Sequence, residues 1–331
     1  MKKIITLFTF LSLFIVSCTK TEVVPPTIND RTITISATMP TGEESRVSYT
    51  GGTSEQRSIT LKWETTDKLQ LCFVHDGKYF YTEATIVPQS ISQDGKSAKF
   101  QITLPKGLPT DAPFTLYAVY QQTDEDKSNG GHFEANTAKY VLENNEKSCL
   151  TLDKKSETKS NSGIIRPVLK STQKQVTVTT LKTISFEHQG WIMALHLKNN
   201  TSKTINLPEI LQLEYHEESS TSFIYNGYPA TYLVNVDLSN NKIFSGSAKQ
   251  DFVLFDLAHS SCPKQLESGK SITLYRWLMS THTVEALDAY TYPDNAAQIA
   301  TTVPLKSKEV KNGTVYHLNL VWSENSFEWG L

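Results

Sequence analysis

Apolar and polar residues alternate over short stretches along most of this chain, and a period of two predicts strands. The runs 69–74 and 78–86 flank His75-Asp76-Gly77, where Asp-Gly can take the positive φ that a tight hairpin demands. Gln93-Asp94-Gly95 separates Ile91 from a strand-like run at 98–104 in the same way, and 114–120 reads as a buried strand. In the second half, 232–238 turns at Ser239-Asn240-Asn241 into 242–244, and 303–310 turns at Asn312-Gly313 into 315–322. In that last run Tyr316, Leu318, Leu320 and Trp322 share one face, with His317 and Asn319 on the other. No stretch of helical length keeps a 3.6-residue period. The pattern predicts an all-β protein.

One run changes phase. Ile184 and Phe186 lie on even positions, whereas Trp191, Met193, Leu195 and Leu197 are odd. Gly190 stands at the switch, which predicts a bulge or sharp bend there. Upstream, 153–163 is charged, rich in serine and nearly free of apolar groups, and 144–174 offers no clear strand. A further strand is expected at 176–181. A chain longer than the roughly 250–300 residues at which one core stops growing predicts two domains. The expected division is 31–165 for an N-terminal β domain and 166–331 for a C-terminal one.

The N-terminus follows a different rule. Lys2 and Lys3 precede an apolar stretch at 4–14, and Ile15-Val16-Ser17 leads into Cys18. The stretch is well short of the roughly 20 residues a spanning helix needs, so 1–17 reads as an export signal. The four residues ending at Cys18 resemble a lipobox, in which a cysteine thiol carries a diacylglycerol and becomes the new N-terminus. Acyl chains such as palmitate add about 0.8 kcal/mol per buried methylene, so several hold a protein to its membrane. Residues 18–30, with two prolines, read as a flexible tether. The expected location is the outer membrane, lipid-anchored and surface-exposed or fimbrial.

Charge and chemistry narrow the picture. The formal net charge is -2, and loss of Lys2 and Lys3 takes it to about -4. No basic block or basic-aromatic stripe is present, which excludes nucleic acid as an expected partner. Beyond Cys18, the cysteines are Cys72, Cys149 and Cys262, an odd number without a Cys-x-x-Cys spacing, so burial as small apolar residues is the default and one oxidised pair the alternative. No nucleophile elbow, phosphate loop or His-Glu-x-x-His is found, and no cofactor, metal or enzymatic activity is expected. His188 and His196 are eight residues apart, about 26 Å on a strand at about 3.3 Å per residue, too far to share a metal.

Several segments occur in a characteristic order. Ile33-Thr34-Ile35-Ser36-Ala37 opens the chain after the tether and is followed by Ser45-Arg46-Val47. Trp63, Asp67 and Leu69 then give a Trp-x-x-x-Asp-x-Leu step, and Phe186-Glu187-His188 leads into an apolar strand. With the lipobox, this order resembles the fimbrillin family of Bacteroidetes lipoproteins across most of the chain past the signal. The resemblance implies two transthyretin-like β-sandwiches in tandem and a structural, anchor or tip role in adhesive fimbriae. It implies fimbrial subunits as partners through strand addition, and outer-membrane lipid through acylated Cys18. It further implies maturation by an arginine-specific protease, for which Arg46 matches the position and Arg31 is the other candidate. The short segment after Trp322 favours a terminal component over a stalk subunit.

A second reading is a carbohydrate-binding lipoprotein that does not polymerise. Five tryptophans and fourteen tyrosines offer flat faces for sugars. Trp63, Trp191 and Trp322 sit in apolar alternations and read as core. Trp329 follows the last clear strand, where it either caps the second domain or contacts a partner.

Overall fold

The structure, a computed structural model, describes residues 31–40, 46–48, 58–60, 62–121, 131–142, 168–215, 223–224, 235–244, 249–250, 252–257, 263–279, 283–284, 287–292, 308–309, 311–323 and 326–329. The chain forms two units, Met1–Arg31 and Thr32–Leu331, and every sheet belongs to the second. Among the described residues there are strands, turns and bends but no helix. The protein is all-β.

The largest sheet has eight strands. Their order is Thr183–Ser185, Thr32–Thr38, Ser97–Thr103, Lys78–Ile86, Lys68–His75, Phe114–Gln121, Val168–Val176 and Glu187–Gln189. The hairpin at His75-Asp76-Gly77 forms as expected, with φ of 47° at Asp76 and 70° at Gly77. The two outermost strands are separated in sequence only by Phe186. Thr183–Ser185 runs parallel to Thr32–Thr38, and Glu187–Gln189 runs antiparallel to Val168–Val176. One short stretch therefore borders both ends of the sheet, which must curl back on itself. Inside lie Ile35, Leu69, Leu71, Phe73, Phe100, Ile102, Phe114, Leu116, Ile184 and Phe186.

The second half packs two smaller sheets face to face. One runs Ser271–Leu278, Trp191–Asn199, Val315–Ser323, Ser326–Trp329; the other runs Phe252–Asp256, Ile210–Tyr215, Leu287–Tyr292. The odd residues Trp191, Met193, Leu195 and Leu197 meet Leu211, Leu213, Val253 and Phe255 across the gap. Leu318 and Leu320 join them, with Tyr316 and Trp322 packed alongside, as the shared face predicts.

A third apolar cluster lies between the halves. Phe114–Gln121 turns Tyr117 and Val119 toward it, and Trp191–Asn199 turns Ile192 and Ala194 toward it. Tyr140, Val236, Leu238, Trp277 and Met279 complete it. The backbone follows the same path. Lys139–Val141 from the first half pairs with Asn235–Asp237 from the second, within a four-stranded sheet that also holds His132–Phe133 and Lys242–Phe244.

Two local expectations are corrected. Residues 168–176 form a strand where none was expected, because pairing with Phe114–Gln121 sustains a run too polar to announce itself. Residues 177–180 form a turn rather than the expected strand, since the Thr177 backbone N–H donates to Thr180 Oγ1 and the Thr180 and Leu181 backbone N–H groups donate to Thr177 O. The eight-stranded sheet thus draws strands from both sides of the expected 165/166 division. Core membership changes at Gly190, where φ is 90°. The bend predicted from the phase change is there.

Candidate functional site

Thr32–Thr38 occupies an inner position of the largest sheet. It pairs antiparallel with Ser97–Thr103 along its whole length, and residues 36–38 pair parallel with Thr183–Ser185. Ile35 and Ala37 are fully buried and point into the core, with Met39 just beyond. Arg31 directly precedes this strand. Arg46 opens the short strand Arg46–Ser48 and lies opposite Thr60. The two candidate cleavage arginines therefore bracket one inner strand. Cys18 lies outside the described residues.

The Trp-x-x-x-Asp-x-Leu step makes one compact unit. Trp63 is buried with edge-on contacts to Phe100, Tyr120 and Phe186 at centroid distances of 5.0, 4.9 and 5.8 Å. Asp67 closes the turn by accepting from the Glu64 backbone N–H at 2.7 Å, and accepts from the Tyr120 hydroxyl at 3.1 Å. Leu69 enters the core two residues later. Burial outweighs these hydrogen bonds and raises the Asp67 pKa from 3.8 to about 6. The motif is a corner that fixes the entry of Lys68–His75.

The tryptophans divide by position. Trp63 and Trp191 are core, Trp277 is buried in the cluster between the halves, and Trp322 is half-buried against the second core. Trp329 is not in an irregular tail. It ends the strand Ser326–Trp329, which folds back antiparallel on Val315–Ser323 and sets Trp329 opposite Leu320. The sequence hid this strand because it is four residues long and pairs only with its immediate neighbour.

Histidines meet in a combination the sequence does not suggest. His188 and His196 lie on different strands, with His188 opposite Leu169 and His196 opposite Thr273. His196 instead meets His317, Nε2 to Nδ1 at 3.0 Å, while its Nδ1 lies 2.8 Å from Thr273 Oγ1. The ring planes differ by 18° and the centroids are 5.2 Å apart, so the two rings lie nearly parallel. The signal available was that His196 and His317 both oppose an apolar face; which strands are neighbours was not readable. Among the described residues no three His, Cys, Asp or Glu side chains converge as metal ligands would. His188 is pushed down to about 4 by burial, with Lys96 adding to the effect, and its buried Nε2 has no hydrogen-bond partner among the described residues. Cys72 is a free, buried thiol raised to about 12 by burial, which suits the small-apolar reading. Cys149 and Cys262 lie outside the described residues.

No protein-family model matches the chain, and no curated protein matches it. Solved structures do align over most of its length. A candidate cell adhesion protein from Bacteroides ovatus aligns at 12% identity and a TM-score of 0.46, covering 90% of this chain and 94% of its own. A second from Bacteroides uniformis gives 13% and 0.42, covering 90% and 96%. The fimbrial anchor protein Mfa2 from Porphyromonas gingivalis gives 10% and 0.38, covering 89% and 94%. All three come from the bacterial group that the sequence resemblance names.

Proposed function

We propose that this chain is a non-enzymatic, lipid-anchored surface protein of the fimbrillin kind. It serves as an anchor or tip component of adhesive fimbriae and joins its neighbours by strand addition. The observation that carries this reading is the placement of Thr32–Thr38. A strand with a paired neighbour on each side and Ile35 and Ala37 buried, bracketed by Arg31 and Arg46, is a removable piece of core. Cleavage after Arg46 would strip that strand from Ser97–Thr103 and uncover Phe100 and Ile102. An extended segment with apolar residues at alternate positions could refill such a groove through main-chain hydrogen bonds. Acylated Cys18 holds the unprocessed form to the outer membrane.

Within this reading the two transthyretin-like sandwiches divide at Gly190, so residues 166–189 go with the first. The carbohydrate-binding alternative loses support from the aromatics, since Trp63, Trp191 and Trp277 are buried and unavailable to stack on a sugar. Incubation with an arginine-specific protease tests the proposal. The expected result is loss of the segment through Arg46 together with SDS-resistant multimers. Clean cleavage that leaves only monomers would overturn strand addition while leaving the anchor untouched. Mass analysis of membrane-extracted protein tests the anchor separately, with Cys18→Ala expected to release the chain from the membrane fraction.

A further inference from the structure

Lys170, Glu187 and Asn241 come from three separate segments and meet at one point. Lys170 stands directly opposite Glu187 on one side and Val119 on the other. Its side chain is only 7% exposed, beside a cluster that includes Val119 and Val168. Lys170 Nζ lies 2.5 Å from Asn241 Oδ1 and 3.2 Å from Glu187 Oε1. The first distance is shorter than the roughly 2.7–2.9 Å usual for a charge-assisted N–H to oxygen bond. A carbonyl bond is about 1.2 Å long, so Nζ lies no farther than about 3.7 Å from Asn241 Cγ. That is close to the roughly 3–3.5 Å of a near-attack geometry. Asn241 holds its place with φ at 58°, a left-handed conformation that asparagine tolerates.

Amine, carboxamide and carboxylate in contact are the reactants and the proton carrier of an amide exchange. We propose that Lys170 and Asn241 become joined by an intramolecular isopeptide bond, with Glu187 carrying the protons. The Lys170 ammonium first passes a proton to the Glu187 carboxylate, which is within reach. The freed amine lone pair attacks Asn241 Cγ and forms the new C–N bond. Glu187 gives its proton to the departing nitrogen and takes one from the attacking nitrogen. The old C–N bond then breaks and ammonia leaves. Glu187 finally yields its proton to the ammonia, so the products are a secondary amide and ammonium, and nothing is oxidised or reduced. The bond ties Val168–Val176 of the first sheet to the turn between Asn235–Asp237, which pairs across the junction with Lys139–Val141, and Lys242–Phe244. It spans 71 residues of chain, so it would constrain the unfolded state as a disulfide does.

Peptide mass spectrometry of the full chain after trypsin digestion tests this. The expected result is no cleavage after Lys170, and a branched species joining the peptides that carry Lys170 and Asn241, lighter than their sum by one ammonia. Lys170→Arg and Asn241→Ala should remove the branched species, and Glu187→Gln should slow or abolish its formation, each with an unchanged circular dichroism spectrum. Two unlinked peptides of full mass from the folded parent protein would overturn the proposal and leave an ionic clamp. An ammonia deficit confined to the Asn241 peptide would overturn it as well, since that marks cyclisation onto the local backbone.

Discussion

Asp67 keeps its proton up to about pH 6 in the folded chain, while in the unfolded chain it loses it near 3.8. The folded state therefore binds the extra proton between those values, and this contribution to stability falls as pH rises through the window. His188 acts in the opposite sense. Its folded value of about 4 lies below the ordinary 6.5, so its contribution falls as pH drops from 6.5 to 4. Each spans about 3 kcal/mol at roughly 1.36 kcal/mol per pKa unit, and between pH 4 and 6 the two slopes nearly cancel. Asp67→Asn keeps an acceptor for the Glu64 N–H and can donate to the Tyr120 oxygen. Urea titrations should find it at least as stable as the parent at pH 7 but losing about 3 kcal/mol on acidification to pH 4. His188→Gln should show the reverse slope. Parallel pH profiles for parent and both variants would refute the assignment. Cys72 gives a simpler expectation, because a thiol raised to about 12 and buried offers almost no thiolate at neutral pH. Iodoacetamide should leave it unlabelled until denaturant is added.

Among the strands, those with self-contained signals were legible and those maintained by their neighbours were not. Lys68–His75 and Lys78–Ile86 announce themselves through alternation and an Asp-Gly turn, and Trp191–Asn199 through its odd-numbered apolar face. Val168–Val176 has Lys, Ser, Thr and Gln at its centre, and only its pairing partners make it a strand. Gly190 was legible as a break, but the crowding around it was not. A Cβ there would lie 2.5 Å from the Leu278 carbonyl oxygen and 2.7 Å from the Trp277 ring, on top of the strain of a positive φ. Gly77 has a similar φ of 70° with nothing within 4 Å of the added carbon. Gly77→Ala should therefore cost about 1 kcal/mol from backbone strain alone. Gly190→Ala should cost about 3–5 kcal/mol once strain and overpacking combine. Chemical denaturation of the pair separates the two contributions, and equal losses would mean that the Leu278 contact relaxes freely.

At the scale of the molecule, the question is whether the two halves unfold together. Length suggests two domains on a string, and the order of strands in the chain gives no hint of what joins them. Besides the Lys170–Asn241 contact, the described junction is tied in three ways. Lys139–Val141 and Asn235–Asp237 share backbone hydrogen bonds, Asn235 Nδ2 donates to Glu134 Oε1 at 2.7 Å, and the apolar cluster around Tyr140 and Trp277 is contributed by both halves. None of these was readable from the sequence, because each joins positions whose partners are set by tertiary packing. Independent domains meet through interfaces that resemble transient contacts and unfold separately. A shared sheet over a shared core instead couples the halves, and calorimetry should record one transition for the intact chain. Tyr140→Ala removes a fully buried ring from the middle of the junction, at a cost of about 3–5 kcal/mol for a large aromatic. If the junction carries the coupling, that variant should split the transition into two, whereas Phe73→Ala in the first core should lower stability without splitting it. Two transitions in the unmodified chain would show that the junction is too weak to couple the halves. In the proposed role of a membrane-tied fimbrial component, coupling matters mechanically: force entering one half reaches the other through strands pulled together, not through a linker.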